Sequence, residues 1–409
     1  MKILIVSQYF WPEEFRINDL ALGLQEKGHE VVVLTGIPNY PSGSFFRGYN
    51  FFGPRRDDFK GIKILRVPLV PRGKERPWQL ALNYLSFVIF GIIPGIFYCR
   101  GEFDLIFVAQ FSPVTLVIPA IVLKKIKKIS MVLWVQDLWP ESLSATGAVR
   151  SKWILQLATR MVSWIYSQTD RILVQSKGFI PSVEALGGKT KKIVYLPNWA
   201  EDVYKPVLLE AGAPERKITP EGFIVMFAGN IGAAQDFGTI LAAAERLKSA
   251  PNINFVILGD GRMRGWVEEQ IKIRSLEKTV HLLGKYPVEA MPRFFALADA
   301  MLVTLKREPI FALTIPAKTQ SYLACGKPII VALDGEGARI VKEAEAGLTV
   351  PAESPQALAE AVLKMSRLSV EERVMMGKRG RQYFEKHFAR GKLIDQADIL
   401  CRELENKKL

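Results

Sequence analysis

The chain predicts an α/β fold, with two doubly wound parallel sheets in two Rossmann-like domains. Three observations carry that reading. Short apolar runs alternate with helix-like patterns from end to end, which is the signature of βα units. With 409 residues the chain exceeds what one core usually serves and suits two domains of roughly 200 residues. Proline and charge density rise between Pro197 and Pro220, where the alternation divides in two.

In the first half the strand-like runs are ILIV (3–6), VVVL (31–34), IKILRV (62–67), LIFVA (105–109), MVLWV (131–135), RILVQS (171–176) and KIVYLP (192–197). The second half has FIVMFAG (223–229), NFVILG (254–259), TVHLLG (279–284), AMLVTL (300–305), PIIVAL (328–333) and AGLTV (346–350). Helical patterns fall between them, as at 18–27, 237–249, 263–274, 289–297 and 355–368. The expected domains are 1–200, 201–375 and a helical tail, 376–409, returning to the first domain. In open α/β sheets ligands bind at the carboxyl ends of the strands, so a cleft faced by both sheets is the expected site.

Composition excludes several classes. Hydrophobic residues make up 49% and charged residues 23%, an ordinary globular mixture. Cys99, Cys325 and Cys401 lie far apart with no C-x-x-C pair, which argues against a zinc ribbon or disulfide framework and for reduced, cytoplasmic thiols. MKILIVSQYF has too short an apolar core for a signal peptide and reads as a first buried strand.

The net charge of +14 is uneven: residues 1–200 hold 25 Lys/Arg against 14 Asp/Glu, leaving 30 against 27 for the rest. A basic first half suits an anionic partner, nucleic acid or a membrane surface, or is simply a solvated face. Two windows weigh toward an anionic membrane and away from nucleic acid. Leu80–Cys99 carries no charge and is flanked by Arg72, Lys74, Arg76 and Arg100. It is long enough to span a bilayer, to dock on one, or to pack as a buried helix on a sheet. The run 114–123 ends in Lys124, Lys125, Ile126, Lys127 and Lys128, a pattern of surface docking.

Five segments carry candidate chemistry. Gly229, Asn230, Ile231 and Gly232 follow a strand and precede a helix, where glycines permit a phosphate close to the backbone or simply make a tight turn. Gly259-Asp260-Gly261-Arg262 invites a dinucleotide reading, but Arg264 occupies the third glycine's place, and Arg262 itself suits a diphosphate. In FALTIPAKTQSYLACGKPIIV (311–331) a helix begins near Thr314 and Pro316; backbone N–H groups near Ile315–Lys318 and the Lys318 ammonium form a combined anion site, or an ordinary helix start. WVQDLWPES (134–142) sets Asp137 and Glu141 beside Trp139, a pairing that suits a sugar or plain helix capping. QYFWPEEFRIN (8–18) offers Glu13, Glu14, Arg16 and Asn18 at the end of the first strand.

Together and in this order, QYFWPEEFRINDLA, GHEVVVLTGIPNYPSG, WVQDLWPESLSATG, LPNW, FAGNIGAAQDF, LGDG and SYLACGKPII resemble the retaining glycosyltransferases of family 4 (group 1), most nearly the WbuB-type bacterial polysaccharide enzymes. The resemblance runs almost end to end. It implies a GT-B fold with an N-terminal acceptor domain, a C-terminal nucleotide-sugar domain and a last helix crossing back. It also implies a metal-independent hexosyl transfer with no cofactor, from a UDP-sugar to a polyprenyl-diphosphate-linked saccharide, at the inner face of the cell membrane during O-antigen-type synthesis. The donor sugar it suggests is a 6-deoxy amino sugar such as N-acetylfucosamine. No D-x-D motif is present.

The match also implies roles, and departures from them. The family's two glutamates fall at Leu313 and Ser321, so Gln320 and Ser321 are left to bind a ribose diol as neutral groups. Its usual Arg and Lys fall at Asn230 and Gln235, and its acceptor-domain His at Gln136. Donor phosphates are then expected on Lys318, Arg262, Arg339 and the Gly229–Gly232 turn, with uracil near Lys285 and Tyr286. Asp137 or Glu14 is the expected group orienting the acceptor hydroxyl. The rivals are a nicotinamide-dependent oxidoreductase built on LGDGRMRG and a membrane-docked scaffold that has lost its chemistry.

Overall fold

The computed structural model describes residues 1–145, 151–250 and 252–405. Thr146 and Gly147 of the 134–147 motif and the last four residues of the tail lie outside them. The chain divides into two units, Met1–Pro197 with Leu393–Leu409, and Asn198–Lys392.

The first unit is built on an eight-stranded sheet in the order β3-β4-β2-β1-β5-β6-β7-β8. Its strands are β1 (Lys2–Val6), β2 (Glu30–Gly36), β3 (Arg56–Phe59), β4 (Ile62–Val67), β5 (Leu105–Gln110), β6 (Ser130–Val135), β7 (Arg171–Val174) and β8 (Ile193–Tyr195). All neighbours are parallel except β3 and β4. β5 is buried throughout and β1 from Ile3 onward, as expected of central strands covered by helices on both faces. Strand order turns at β1, between β2 and β5, so the loops after β1 and β5 open at a topological switch point.

The second unit carries a six-stranded, all-parallel sheet, β11-β10-β9-β12-β13-β14. Its strands are β9 (Phe223–Ala228), β10 (Ile253–Leu258), β11 (Val280–Gly284), β12 (Ala300–Thr304), β13 (Ile329–Ala332) and β14 (Gly347–Val350). Here the order turns between β9 and β12. Both faces of this sheet are sealed by apolar clusters, one around Met226, Val303, Tyr322 and Phe384, the other around Phe227, Leu241, Val267 and Val362.

Two features differ from the sequence reading. β3 was not expected, because RDDF offers no apolar run; it forms by pairing antiparallel with β4. The tail returns to the first unit at Leu393, not at residue 376. The helix Val370–His387 stays in the second unit because Gly377 and Gly380 let it lie against the end of the helix Ala317–Ala324. A Cβ at Gly377 would sit 2.0 Å from the Gly326 carbonyl oxygen, and one at Gly380 would sit 2.9 Å from Leu323. Ser369 starts that helix with a reciprocal capping box to Glu372. The last helix, Arg390–Glu405, then packs in the first unit through Leu393, Ile394, Ala397, Leu400, Cys401 and Leu404. His29 Nε2 meets Asp398 at 2.6 Å, and Lys27 pairs with Asp395.

Candidate active site

In the second unit, three loops leave the carboxyl ends of β9, β10 and β11 and are laced together by their backbones. Gly229 N–H donates to the Leu258 carbonyl (2.9 Å), Ile231 N–H to Asp260 (2.8 Å) and Gly259 N–H to Gly284 (2.8 Å). The glycines are there for this lacing. Gly259 has φ +143, and a Cβ on it would sit 1.9 Å from the Gly229 carbonyl oxygen; one on Gly261 would sit 2.4 Å from that of Ile231.

The laced loops form the wall of an open pocket of ≈ 770 Å³, lined by Gly229, Asn230, Gly259, Gly261, Arg262, Lys285 and Tyr286, with Asp260 on the same rim. Arg262 and Lys285 are exposed cations. Tyr286 leans on Phe294, with ring centroids 4.5 Å apart. Eight of the sequence-named residues therefore share one pocket: Gly229, Asn230, Gly259, Asp260, Gly261, Arg262, Lys285 and Tyr286.

Lys318 lies beside that pocket's Gly229 turn. A Cβ on Gly229 would be 3.4 Å from Lys318 Nζ. The ammonium sits 3.7 Å from the centroid of the Phe227 ring and donates to Gln235 Oε1. Among the described residues no carboxylate pairs with it. Lys318 is only partly buried by surface area, but its charged end is crowded by protein atoms, and that desolvation pulls its pKa down to about 7. The helix Ala317–Ala324 carries no acidic residue in its first turn and no side-chain cap. Cation, ring and helix start thus converge with nothing negative to neutralise them, and an entering anion would restore the full charge of Lys318.

Other expected residues are occupied elsewhere. Arg339 is held by Glu336 through two bonds of 2.9 Å and is paired with Glu343, so its charge is already neutralised. Gln320 is fully buried and donates to the Asn198 carbonyl at 2.8 Å. Ser321 is buried, and its Oγ bonds back to the Ala317 carbonyl. The Ile315 side chain belongs to the core. Gly232 packs against Asn230, whose Nδ2 would lie 2.6 Å from a Cβ there. Gln235 serves as the rest for Lys318.

In the first unit, Asp137 follows β6 and accepts the Ser112 N–H at 2.8 Å; burial raises its pKa against that bond. Trp139 Nε1–H donates to Ser112 Oγ at 3.0 Å, so the loops after β5 and β6 are tied together here. Glu14 is exposed and makes no hydrogen bond or ion pair among the described residues. Its neighbour Glu13 is the buried carboxylate, gripped by the N–H groups of Asn39 and Tyr40 (2.8 Å each) and of Phe10 (3.3 Å). Desolvation lifts its pKa to about 7 against the pull of those bonds and of Arg66. Beside it, Tyr9, Phe15, Tyr40 and Phe111 form a ring cluster, with Tyr9 stacked on Phe15 at 4.9 Å. Arg72 is placed over Tyr9, Tyr40 and Tyr84. Sequence reasoning missed this cluster. Its rings come from three separate segments, and the aromatics of QYFWPEEF were the only local sign of it.

Among the described residues, no group of three or more His, Cys, Asp or Glu side chains is arranged to hold a metal ion.

Comparison with known proteins adds two domain matches. Residues 14–199 match the family described as Glycosyl transferase 4-like domain, and residues 213–383 match Glycosyl transferases group 1. Among curated proteins, the chain is 30% identical over 249 residues to "Probable glycosyltransferase WbjE" of Pseudomonas aeruginosa, covering 58% of this chain and 60% of that protein, less than two thirds of its length. It is 24% identical over 343 residues to "Putative colanic acid biosynthesis glycosyl transferase WcaI" of Escherichia coli K12, covering 81% and 83%. Among solved structures it is similar to sucrose-phosphate synthase from Thermosynechococcus elongatus (TM-score 0.74, 17% identity, 98% of both chains). It is also similar to HepE of Anabaena in complex with UDP (TM-score 0.70, 15% identity, 99% of this chain and 100% of that one). These structural neighbours share the GT-B fold.

Proposed function

On the premise that this chain belongs to the group 1 glycosyl transferases, both of its domains being matched to glycosyl transferase families, we propose that it moves a sugar from a UDP-sugar to a polyprenyl-diphosphate-linked saccharide in bacterial surface polysaccharide synthesis. Transfer is metal-independent and retains the anomeric configuration. The WbuB-type enzymes are the subgroup meant, and an N-acetyl-6-deoxyhexosamine is the donor sugar in view. Both matched families are glycosyl transferases, which favours this reading over a nicotinamide oxidoreductase.

One observation carries the proposal: the Lys318 ammonium stands beside the Gly229 turn without a carboxylate partner, next to a pocket that presents Arg262 and Lys285. That arrangement suits a diphosphate. The uracil ring lies by Lys285 and Tyr286. As the bond to the anomeric carbon breaks, charge builds on the leaving UDP, and preorganised cations in a poorly hydrated site stabilise it. Lys318 meets that charge first, with Arg262 and the helix start behind it. The anomeric carbon becomes oxocarbenium-like, and the acceptor oxygen attacks from the same face.

In the first unit, Asp137 takes the role of orienting the acceptor hydroxyl and drawing off its proton, since burial already makes it a better base. Glu14 remains a surface carboxylate available to a bound saccharide. The ring cluster around Tyr9 offers apolar faces to sugar C–H groups. The basic first unit works at an anionic membrane surface on the cytoplasmic side, where a lipid-linked acceptor is found.

Two measurements test the reading. A thermal-shift screen of nucleotide sugars finds the donor, because a ligand that binds the native state alone raises its melting temperature. UDP release in the presence of a lipid-linked saccharide then separates a working transferase from an inactive scaffold. Absence of both responses across UDP-sugars refutes the proposal.

A further inference from the structure

The helix Pro77–Tyr98 is 22 residues long with mean hydropathy 2.0 over its most apolar window, yet only 28% of that window is buried. Its outward residues recur at helical spacing: Trp78, Leu82, Leu85, Ile89, Ile93 and Phe97 are all exposed, Ile93 and Phe97 at 58%. Its other face is committed to the unit. Asn83, wholly buried, donates to the Val70 carbonyl at 2.5 Å and accepts from Gln8 Nε2 at 2.7 Å. Ser86 accepts the Val70 N–H at 3.0 Å. Gly91 lies so close to Pro119 that a Cβ would be 2.7 Å from it.

From these facts we infer that this helix is an in-plane anchor for an anionic bilayer, lying along the membrane surface with its outer stripe among the acyl chains and not crossing. Crossing would strip Asn83 and Ser86 of their partners and carry bare polar groups into hydrocarbon, where nothing replaces their hydrogen bonds. It would also set Lys74 and Arg76 on one side of the membrane and Arg100 on the other. Lying flat, the helix keeps all three exposed cations at headgroup depth, where each attracts anionic lipid.

A second helix continues the face. Lys152–Ser167 exposes Trp153, Leu157 and Trp164, again at helical spacing, with Arg160 between them. Val117–Lys127 packs against both helices and ends in the exposed Lys125, Ile126 and Lys128. Basic charge predominates around the apolar stripe, with Glu75 paired to Arg72 and Glu102 the exposed acid next to Arg100, and that excess is the complement of an anionic lipid surface. A second copy of the chain would bring the same cations against themselves.

The anchor deepens the acceptor reading above and rests on it for one consequence. Tyr84, on this same helix, meets Arg72, which bonds Tyr9 at 2.6 Å in the ring cluster. A lipid-linked saccharide rising from the membrane beside the helix therefore arrives at the proposed acceptor groups.

The test uses the full chain and vesicles of phosphatidylcholine with and without phosphatidylglycerol. Sedimentation with the anionic vesicles and release by an alkaline carbonate wash are expected. The exposed triple substitution Leu85→Gln, Ile89→Gln, Ile93→Gln should weaken binding about tenfold or more with circular dichroism unchanged. Lys74→Gln with Arg76→Gln should weaken it on anionic vesicles only. Carbonate-resistant binding means a spanning helix and overturns the inference. So does equal binding by the triple variant, or a stripe that turns out to hold a dimer by gel filtration without affecting lipid binding. UDP titration of the same protein keeps the readings apart: UDP binding without vesicle binding sinks the anchor alone, and the reverse sinks the transferase reading alone.

Discussion

At the residue scale, Lys318 is a cation kept close to neutrality by its surroundings. With its pKa at about 7 in the empty protein, the unfolded chain binds more protons than the native state between about 7 and 10.5, so this group makes stability rise with pH over that range. A bound diphosphate reverses the preference by favouring the ammonium. UDP binding at a pH about one unit above 7 should then take up close to one proton, measurable by calorimetry in buffers of different ionisation enthalpy. Lys318→Met keeps the aliphatic stem on Phe227 and should abolish the uptake. The same substitution should cost on the order of 10²–10³ in kcat; an unchanged proton count or rate removes Lys318 from the site. Glu13 poses the opposite sign. Its folded pKa is raised from 4.5 to about 7, so the stability it contributes is fully present below 4.5 and is lost as pH rises to about 7. Glu13→Gln leaves one oxygen for three N–H groups, costing roughly 1–3 kcal/mol. The stability gap between wild type and variant should narrow as pH climbs through that window, as melting curves across a pH series will show. Both residues are named in the sequence, Lys318 on its own from its helix start and Glu13 only together with Glu14. What distinguishes Glu13 from Glu14 is the N–H groups of Asn39 and Tyr40, which are remote in sequence.

At the element scale, periodicity carried the strands, since parallel strands buried on both faces read as apolar runs. It failed at β3, where one arginine and two aspartates hide a strand made only by its partner, and at the glycines that follow β9 and β10. Those glycines read equally well as phosphate contacts or tight turns, because a sequence does not say which backbone stands opposite. The structure gives the neighbour of Gly259 as the Gly229 carbonyl at 1.9 Å from a would-be Cβ. Gly259→Ala must therefore push two loops apart at a φ of +143 that side chains rarely adopt, and should lose UDP binding along with roughly 1–3 kcal/mol of stability. Gly265→Ala is the control. It lies in the helix Arg264–Ile273 with nothing within 4 Å of its Cβ position, so helix propensity predicts a gain of about 0.5–1 kcal/mol. A Gly259→Ala protein that melts and binds like its Gly265→Ala counterpart would show that the lacing does not shape the pocket.

At the scale of the whole molecule, the linker was legible from proline and charge, and the units divide after Pro197, within a few residues of the expected boundary at 200. The return of the tail was harder to place. Both Val370–His387 and Arg390–Glu405 are amphipathic, and only their contacts assign one to each unit. Gly377 commits the first to the second unit; Gly23 commits the other to the first unit, since a Cβ there would sit 2.5 Å from Ile394. That division makes a prediction about where stability is lost. Ile394 is buried, so Ile394→Ala should remove about 2–5 kcal/mol from the first unit by the transfer and cavity terms together. The pocket proposed for UDP lies wholly in the other unit, so the affinity of the folded protein for UDP should not change. Phe384→Ala, in the apolar cluster of the second unit, should cost a similar amount, about 3–5 kcal/mol, and in that case added UDP should recover part of the lost melting temperature. Melting curves of the two variants with and without UDP decide the matter. If UDP protects the unfolding step weakened by Ile394→Ala as strongly as the one weakened by Phe384→Ala, the tail helix does not belong energetically to the first unit.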